Sequence, residues 1–519
     1  MEATGKGGLN LSAAKGRRAL GVVLLLVVIW GRWPTAYAQG TVRLATQSFT
    51  IRTFDGRDHD AELWRVWVPA NRSRPAMWRA GMDSTDWVHL SFVRLRTSAR
   101  NPGSPIVFLM GGPGIAGSTM ARVPVYWQLF DSLRSVADVI VLDQRGLGYS
   151  TPTVDCPFAG FHIPQNVFES DRSFARVYGE LLDECAKFWR GRGLEPRVYT
   201  VTSIADDVDD VRKALGARRV SLLGFSYGTH IALETVRRHP DAIDRIVLQG
   251  TLGPADPVRL PSGFDSTFRT IARLVEADTT SSRLSSDLAG ALRQVLDSLS
   301  RHPVTIRIRA PTGDSIPLTV GREGFRFLVT GRMGDRRMPA MIVAASRGDW
   351  TIAARILEAS YNDLMSGAGS LMARAVVCSS SGSAERRALV VREARASLLG
   401  APVDNLFITT PFCGVLGTLA MPPTPSTPVH SRRPLLLITG TLDDRTPPQN
   451  AESVRRSFAS STHLIVENGG HELLPLDAVQ RAVVDFFRGK SPETTRITLP
   501  APRYLSIEEA KLPQRLPGR

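Results

Sequence analysis

The chain has 519 residues, 43% of them apolar and 22% charged, which excludes wholesale disorder and supports a sizeable buried core. Its formal net charge is +15, of which residues 1–38 supply +4 through Lys6, Lys15, Arg17, Arg18 and Arg32 against Glu2. Arginine is scattered throughout with no basic run interleaved with aromatics, so the charge reads as a solvated basic surface and no nucleic-acid partner is expected.

The N-terminus comes first in chain order. Lys15, Arg17 and Arg18 precede an apolar run from Ala19 to Trp30, and Ala36-Tyr37-Ala38 follows. A charged stretch, a short apolar core and an A-x-A site form a secretory signal peptide, here residues 1–38 with cleavage after Ala38. The run is about a dozen residues where a spanning helix needs about twenty. The expected location is therefore secreted or periplasmic, with no integral membrane span. Cys156, Cys185, Cys378 and Cys413 match neither a zinc nor a redox spacing. An even number in an exported chain predicts two disulfides, and 156–185 with 378–413 is the simplest of three connectivities.

Beyond the leader, Leu63–Val68 and Val88–Arg96 alternate apolar with polar, the period of half-buried strands. Short apolar runs follow at Ile106–Met110 and Val139–Leu142, then Val220-Ser221-Leu222-Leu223, Ile246–Leu248, Leu435–Ile438 and Leu464–Val466. Short strands of this kind belong to a parallel sheet covered on both faces. Helices are predicted from Ser203, as N-cap, through Leu215 with Gly216 closing, and from Ser226 to Arg238. This rhythm predicts a doubly wound α/β sheet over residues 41–253 and 434–490. Residues 254–433 interrupt it as a mostly helical insertion, with helices at Phe264–Ala277, Ser286–Ser300 and Thr351–Leu364 and a hairpin of Val304–Arg309 with Ile316–Val320. From Ser491 to 519 the chain is Pro- and Arg-rich and reads as a loosely held tail.

The sharpest chemical signal is Gly224-Phe225-Ser226-Tyr227-Gly228 between an apolar strand and a helix, the context of a nucleophile elbow. Serine at its free pKa is a poor nucleophile, and a tight turn exposes its hydroxyl to a base. The acid and the histidine are expected later, beyond the carboxyl ends of strands. Asp443, in Gly440-Thr441-Leu442-Asp443, and His471, in Gly469-Gly470-His471, meet that requirement. Asp444 is the rival acid, disfavoured by its distance from the strand. His463 and His230 read as structural, and Pro475 stands where a zinc H-E-x-x-H would need its second histidine. No metal or cofactor is called for. Gly111-Gly112-Pro113-Gly114 follows the strand at 106–109, where a second oxyanion donor arises. The expected donors are the backbone N–H groups of Gly112 and Tyr227. Gly112-x-Gly114-x-x-Gly117 also spells a dinucleotide fingerprint, but Pro124 breaks the helix it requires. Asp143-Gln144-Arg145-Gly146 reads as a structural turn in which Asp143 and Arg145 pair.

Together these motifs resemble the proline iminopeptidase and tripeptidyl aminopeptidase group of α/β-hydrolases over roughly residues 60 to 490. Val68-Pro69-Ala70-Asn71, the four cysteines and the Tyr after the nucleophile are similar to the secreted tripeptidyl branch. Gln249-Gly250 departs from that branch, which commonly carries Asp-Gly there. The resemblance implies an α/β-hydrolase fold and a serine exopeptidase removing Pro or short peptides from free N-termini, with the insertion as a lid. It also implies lid carboxylates that bind the substrate ammonium, for which Glu323 and Glu358 are candidates. Two rivals are a secreted carboxylesterase or lipase using the same triad, and a non-catalytic binding protein on the same fold.

Overall fold

The computed structural model describes residues 43–73, 86–156, 163–278, 284–365, 370–380, 382–401, 412–415 and 424–512. The predicted leader and the last residues of the predicted tail lie outside them.

Three antiparallel strands open the chain: β1 (Arg43–Arg52), β2 (Asp58–Pro69) and β3 (Trp87–Leu95). The short apolar runs then become β4 (Ile106–Leu109), β5 (Val139–Asp143), β6 (Val220–Phe225) and β7 (Ile243–Gln249). After the insertion come β10 (Leu435–Gly440), β11 (Ser461–Glu467) and β12 (Arg496–Thr498). The strands between β7 and β10 in sequence, β8 (Val304–Arg309) and β9 (Ser315–Val320), form a separate antiparallel hairpin. The large sheet runs β1-β2-β3-β5-β4-β6-β7-β10-β11-β12. It is parallel from β5 onward.

Alternation along these strands feeds two apolar layers. Val107 and Leu109 of β4 face one, with Ile140, Leu142 and Leu222; Ile106 and Phe108 face the other, with Val139, Val141 and Leu223. Both faces of the strands are therefore dry, which is why they read as unbroken apolar runs. The first layer is covered by α4 (Val201–Ala214) and α5 (Tyr227–Arg238), through Val208 and Ile231 among others. The second is covered by α1 (Gly117–Ala121), α2 (Pro124–Leu133) and the helix Asp477–Phe487, through Ala121, Leu129 and Val483.

Three local expectations differ from the structure. The N-cap of α4 is Thr200, not Ser203: the Thr200 side chain accepts from the Ser203 N–H, so the helix starts three residues earlier. Pro124 does not end a helix but starts α2, at a position where its missing N–H costs nothing. The segment after Ser491 is not loose over its described length. β12 pairs with β11, Tyr504, Leu505 and Ala510 are buried, and Ser506 and Glu509 form a capping box on the helix Ile507–Lys511. Apolar side chains spaced singly among Pro and Arg give no periodic signal, yet each finds its own niche.

Chain continuity places the insertion. It leaves after β7 and returns in β10, which pairs directly with β7. Between them lie α6 (Pro261–Ala277), α7 (Leu288–Arg301), α8 (Arg322–Thr330), α9 (Met338–Ser346), α10 (Thr351–Met365), α11 (Leu371–Ser379) and α12 (Ala384–Ala396). Two disulfides, Cys156–Cys185 and Cys378–Cys413, are formed, and there are no free cysteines. The first joins the segment after β5 to α3 (Asp171–Arg190), a long helix capped by Ser170 and not among the elements expected from the sequence. Among the described residues no helix is long and apolar enough to cross a membrane.

Candidate active site

Ser226 lies in the one-residue turn between β6 and α5, with φ 53° and ψ −123°, a left-handed conformation rare for a residue with a Cβ. The turn is possible because its flanking glycines have no side chains. A Cβ on Gly228 would run into the Leu109 carbonyl, and one on Gly224 would stand 3.0 Å from the Gly228 carbonyl oxygen. The Ser226 N–H donates to the Gln249 carbonyl at 2.9 Å, tying the turn to the end of β7.

The acid and base loops leave β10 and β11 side by side. The Leu442 N–H donates to the Gly469 carbonyl at 2.9 Å, and Gly440 must lack a Cβ because the Gly469 and Gly470 carbonyls occupy that space. Asn468, at φ 59°, reverses the second loop, and its N–H is held by Thr441 Oγ1 at 2.9 Å. These contacts deliver His471 between the other two groups. Its Nε2 is 2.9 Å from Ser226 Oγ, and its Nδ1 is 2.9 and 3.0 Å from the two oxygens of Asp443.

Asp443 is fully buried and accepts further hydrogen bonds from the Arg445 N–H, the Thr446 N–H and Thr446 Oγ1, the last at 2.5 Å. Burial alone would raise its pKa. The facing His471 and these donors outweigh burial and hold the carboxyl below its ordinary value, so it stays ionised. Asp444 takes the opposite direction: burial first, and then the neighbouring Asp443, push its carboxyl up. The imidazole rests on Gly250, where a Cβ would lie 3.2 Å from His471 Cε1, and against the Phe225 ring at 5.2 Å. Sequence reasoning missed two supports. Thr446 sits three residues after the acid, a spacing that suits a local side-chain to backbone turn. Gln249 donates through Nε2 to the His471 carbonyl at 2.8 Å and carries no local signature.

The Gly111–Gly114 loop lies against the elbow. A Cβ on Gly111 would stand 2.7 Å from Ser226 Cβ and 2.8 Å from the Tyr227 nitrogen. Tyr227 opens α5, so its N–H has no acceptor within the helix. Gly112, at φ 111°, takes a backbone conformation that a side chain would strain. The Asp143–Gly146 motif is placed differently from expectation. Asp143 and Arg145 do not pair. They point to opposite sides of their turn: Asp143 accepts from the Ser118 N–H, Ser118 Oγ and the Tyr149 N–H, each at 2.8 Å. Arg145, fully buried, grips Asp207 of α4 through Nε at 2.7 Å and Nη2 at 2.6 Å. Glu323 is taken by Arg326 at 2.8 Å, and Glu358 accepts from the Arg309 N–H at 2.8 Å, so neither carboxylate is idle. His463 bonds Thr439 Oγ1 at 2.9 Å, and His230 is packed edge-on against the Tyr227 ring at 5.6 Å.

A family profile described as alpha/beta hydrolase fold matches residues 104–478, from the strand before the glycine loop to the helix after His471. The chain belongs to the α/β-hydrolase family. Among curated relatives, this hydrolase is similar to YuaR of Escherichia coli strain K12, named only as a hydrolase (28% identical; 42% of this chain, 44% of that protein). It is also similar to the serine protease Hip1 of Mycobacterium tuberculosis (28%; 40% of this chain, 39% of that protein) and the tripeptidyl aminopeptidase of Streptomyces lividans (29%; 29% of each chain). The alignments span less than half the length of each of these relatives. With the family match and the site described above, they make the protein a serine hydrolase of the α/β-hydrolase family.

Proposed function

We propose that the protein is an exported serine exopeptidase that removes Pro or short peptides from free N-termini through Ser226, His471 and Asp443. The observation that carries the reading is one imidazole bridging the two partners, 2.9 Å from Ser226 Oγ on one nitrogen and 2.9 Å from Asp443 on the other. In this reading Ser226 Oγ attacks the scissile carbonyl while His471 Nε2 takes its proton. The imidazolium then protonates the leaving amine, which leaves an acyl ester on Ser226, and a water deprotonated by the same nitrogen releases the acid. Asp443 fixes the tautomer and stabilises the transient imidazolium. The N–H groups of Tyr227 and Gly112 receive the oxyanion, each worth about 2.7–4 kcal/mol in such sites.

The names of the protease and aminopeptidase relatives support a peptide over an ester substrate. The insertion acts as the lid. In support, α11 leans on the oxyanion loop, where a Cβ on Gly114 would stand 2.9 Å from Ala373 Cβ, and the Tyr227 hydroxyl donates to the Val376 carbonyl at 3.2 Å and lies 2.7 Å from Ser380 Oγ. Two disulfides fit an oxidising compartment and so favour export. The test is a side-by-side assay of chromogenic aminoacyl and tripeptidyl amides, their N-acetylated forms and acyl esters. Cleavage confined to substrates with a free amine is expected. Hydrolysis of acyl esters with no peptide turnover would replace this reading by that of a carboxylesterase.

A further inference from the structure

Gln249 ends β7 inside the sheet, with no exposed surface. Its two ends hold the two reacting groups. The main-chain carbonyl accepts from the Ser226 N–H at 2.9 Å, and the side-chain Nε2 donates to the His471 carbonyl at 2.8 Å. The next residue, Gly250, forms the shelf beneath the imidazole and donates its N–H to Ile438 of β10 at 3.0 Å. One strand end thus spans the gap between the nucleophile turn and the base loop. Without this link the His471 loop would be tied to the elbow through the side-chain contact to Ser226 itself and the Phe225 ring. Gln249 Oε1 is buried with no hydrogen-bond partner among the described residues. An apolar side chain of the same length would fill the space without that orphaned acceptor, so packing alone does not explain an amide here.

We infer that Gln249 is a positioning residue that sets the distance between Ser226 Oγ and His471 Nε2 by clamping the main chain of both. The inference rests on the Ser226–His471–Asp443 reading above. An imidazole released by a fraction of an ångström to one ångström loses its alignment with the hydroxyl, while the substrate's binding surface is untouched.

Two variants test it. Gln249→Met keeps the length and removes the donor. Its kcat should fall by about 10- to 100-fold with KM within about 2-fold, and Ser226 labelling by a fluorophosphonate should slow by the same factor. Gln249→Glu converts the donor into a titrating one. When protonated its O–H replaces the amide N–H; when ionised two oxygens face each other across the clamp. Its kcat relative to wild type should therefore be highest at acid pH and fall to the Gln249→Met level as pH rises, a dependence that a purely structural role does not produce. All rates are compared well below each variant's Tm, and should Gln249→Met not fold, the pH series within the folded Glu variant decides alone. A Met variant with wild-type kcat and labelling rate overturns the inference. So does a Glu variant whose kcat ratio stays at the Met level at every pH. A wild type that is not labelled at Ser226 instead overturns the proposed function, which separates the two failures.

Discussion

Two buried aspartates in this molecule have been given opposite tasks. Asp443 and Asp207 are both fully buried, and both are surrounded by donors. Asp443 faces an imidazole, which both takes up and releases protons as a general base and acid. Asp207 faces the guanidiniums of Arg145 and Arg72, which do not, and Arg72 itself is held above its ordinary value by Asp207 and Asp210 against the lowering effect of burial. The first arrangement sits at the carboxyl ends of parallel strands, beside Ser226. The second sits under β2 and α4, where Arg145 also donates to the Ala70 and Val198 carbonyls at 3.0 and 2.8 Å. Burial and residue type are shared; the partner's ability to release a proton separates chemistry from architecture.

The largest expected effect breaks that comparison on the catalytic side. Asp443→Asn should lower kcat by about 10⁴-fold by favouring the wrong imidazole tautomer. Asp444→Asn, whose carboxyl is not in contact with His471, should stay within about tenfold of wild type on the same steady-state scale. Equal losses would mean that the acid is shared between the two residues. On the architectural side, Arg145→Met leaves Asp207 short of its main partner. It should cost about 3–5 kcal/mol in denaturant titration, with kcat of the folded fraction little changed. A catalytic loss without a stability loss would move Arg145 into the site.

Smaller effects sharpen the same contrast. Removing one disulfide, with Cys156 and Cys185 both changed to Ser, should lower stability by roughly 3–4 kcal/mol, seen as an earlier denaturant midpoint. His230 supplies a buried imidazole without a carboxylate. Burial pushes it down to about 4 from an ordinary 6.5, against the weaker pull of the Gly253 backbone. The unfolded chain therefore binds the extra proton between these values. The stability this group contributes is complete above pH 6.5 and is lost as pH falls towards 4. The stability of His230→Leu minus that of wild type should grow by up to about 3 kcal/mol between pH 7 and 4. A difference that is flat with pH would show that the ring titrates normally in the fold.

Much of this architecture is legible residue by residue. The strands β4, β5 and β10 carry apolar runs because both their faces are dry, and the elbow is legible because Gly224 and Gly228 are demanded by contacts with their immediate surroundings. Ser203 misled for the reverse reason: it is a good N-cap by type, but its own N–H is already held by Thr200, which puts it inside the first turn. The fate of Arg145 could not be read at all. Asp143 and Asp207 are equally acidic in the sequence, and only the fold brings the more distant one into reach. Helix α3 had its signal, Phe174, Val177, Tyr178, Leu181 and Leu182 falling three or four apart behind Ser170, whereas β12 and the capped helix after it are too short to carry one.

By itself, then, the order of residues determined the layered sheet, the serine in its strained turn and the loops that end in an acid and a histidine, since each depends on neighbours within a few positions. The tertiary structure alone decided that Arg145 turns away to Asp207 and that Gln249 joins the Ser226 turn to the His471 loop. Those outcomes turn on the register of strands distant in sequence, and hydrogen bonds of about 3 Å are met or missed by shifts far smaller than one residue's rise along a strand.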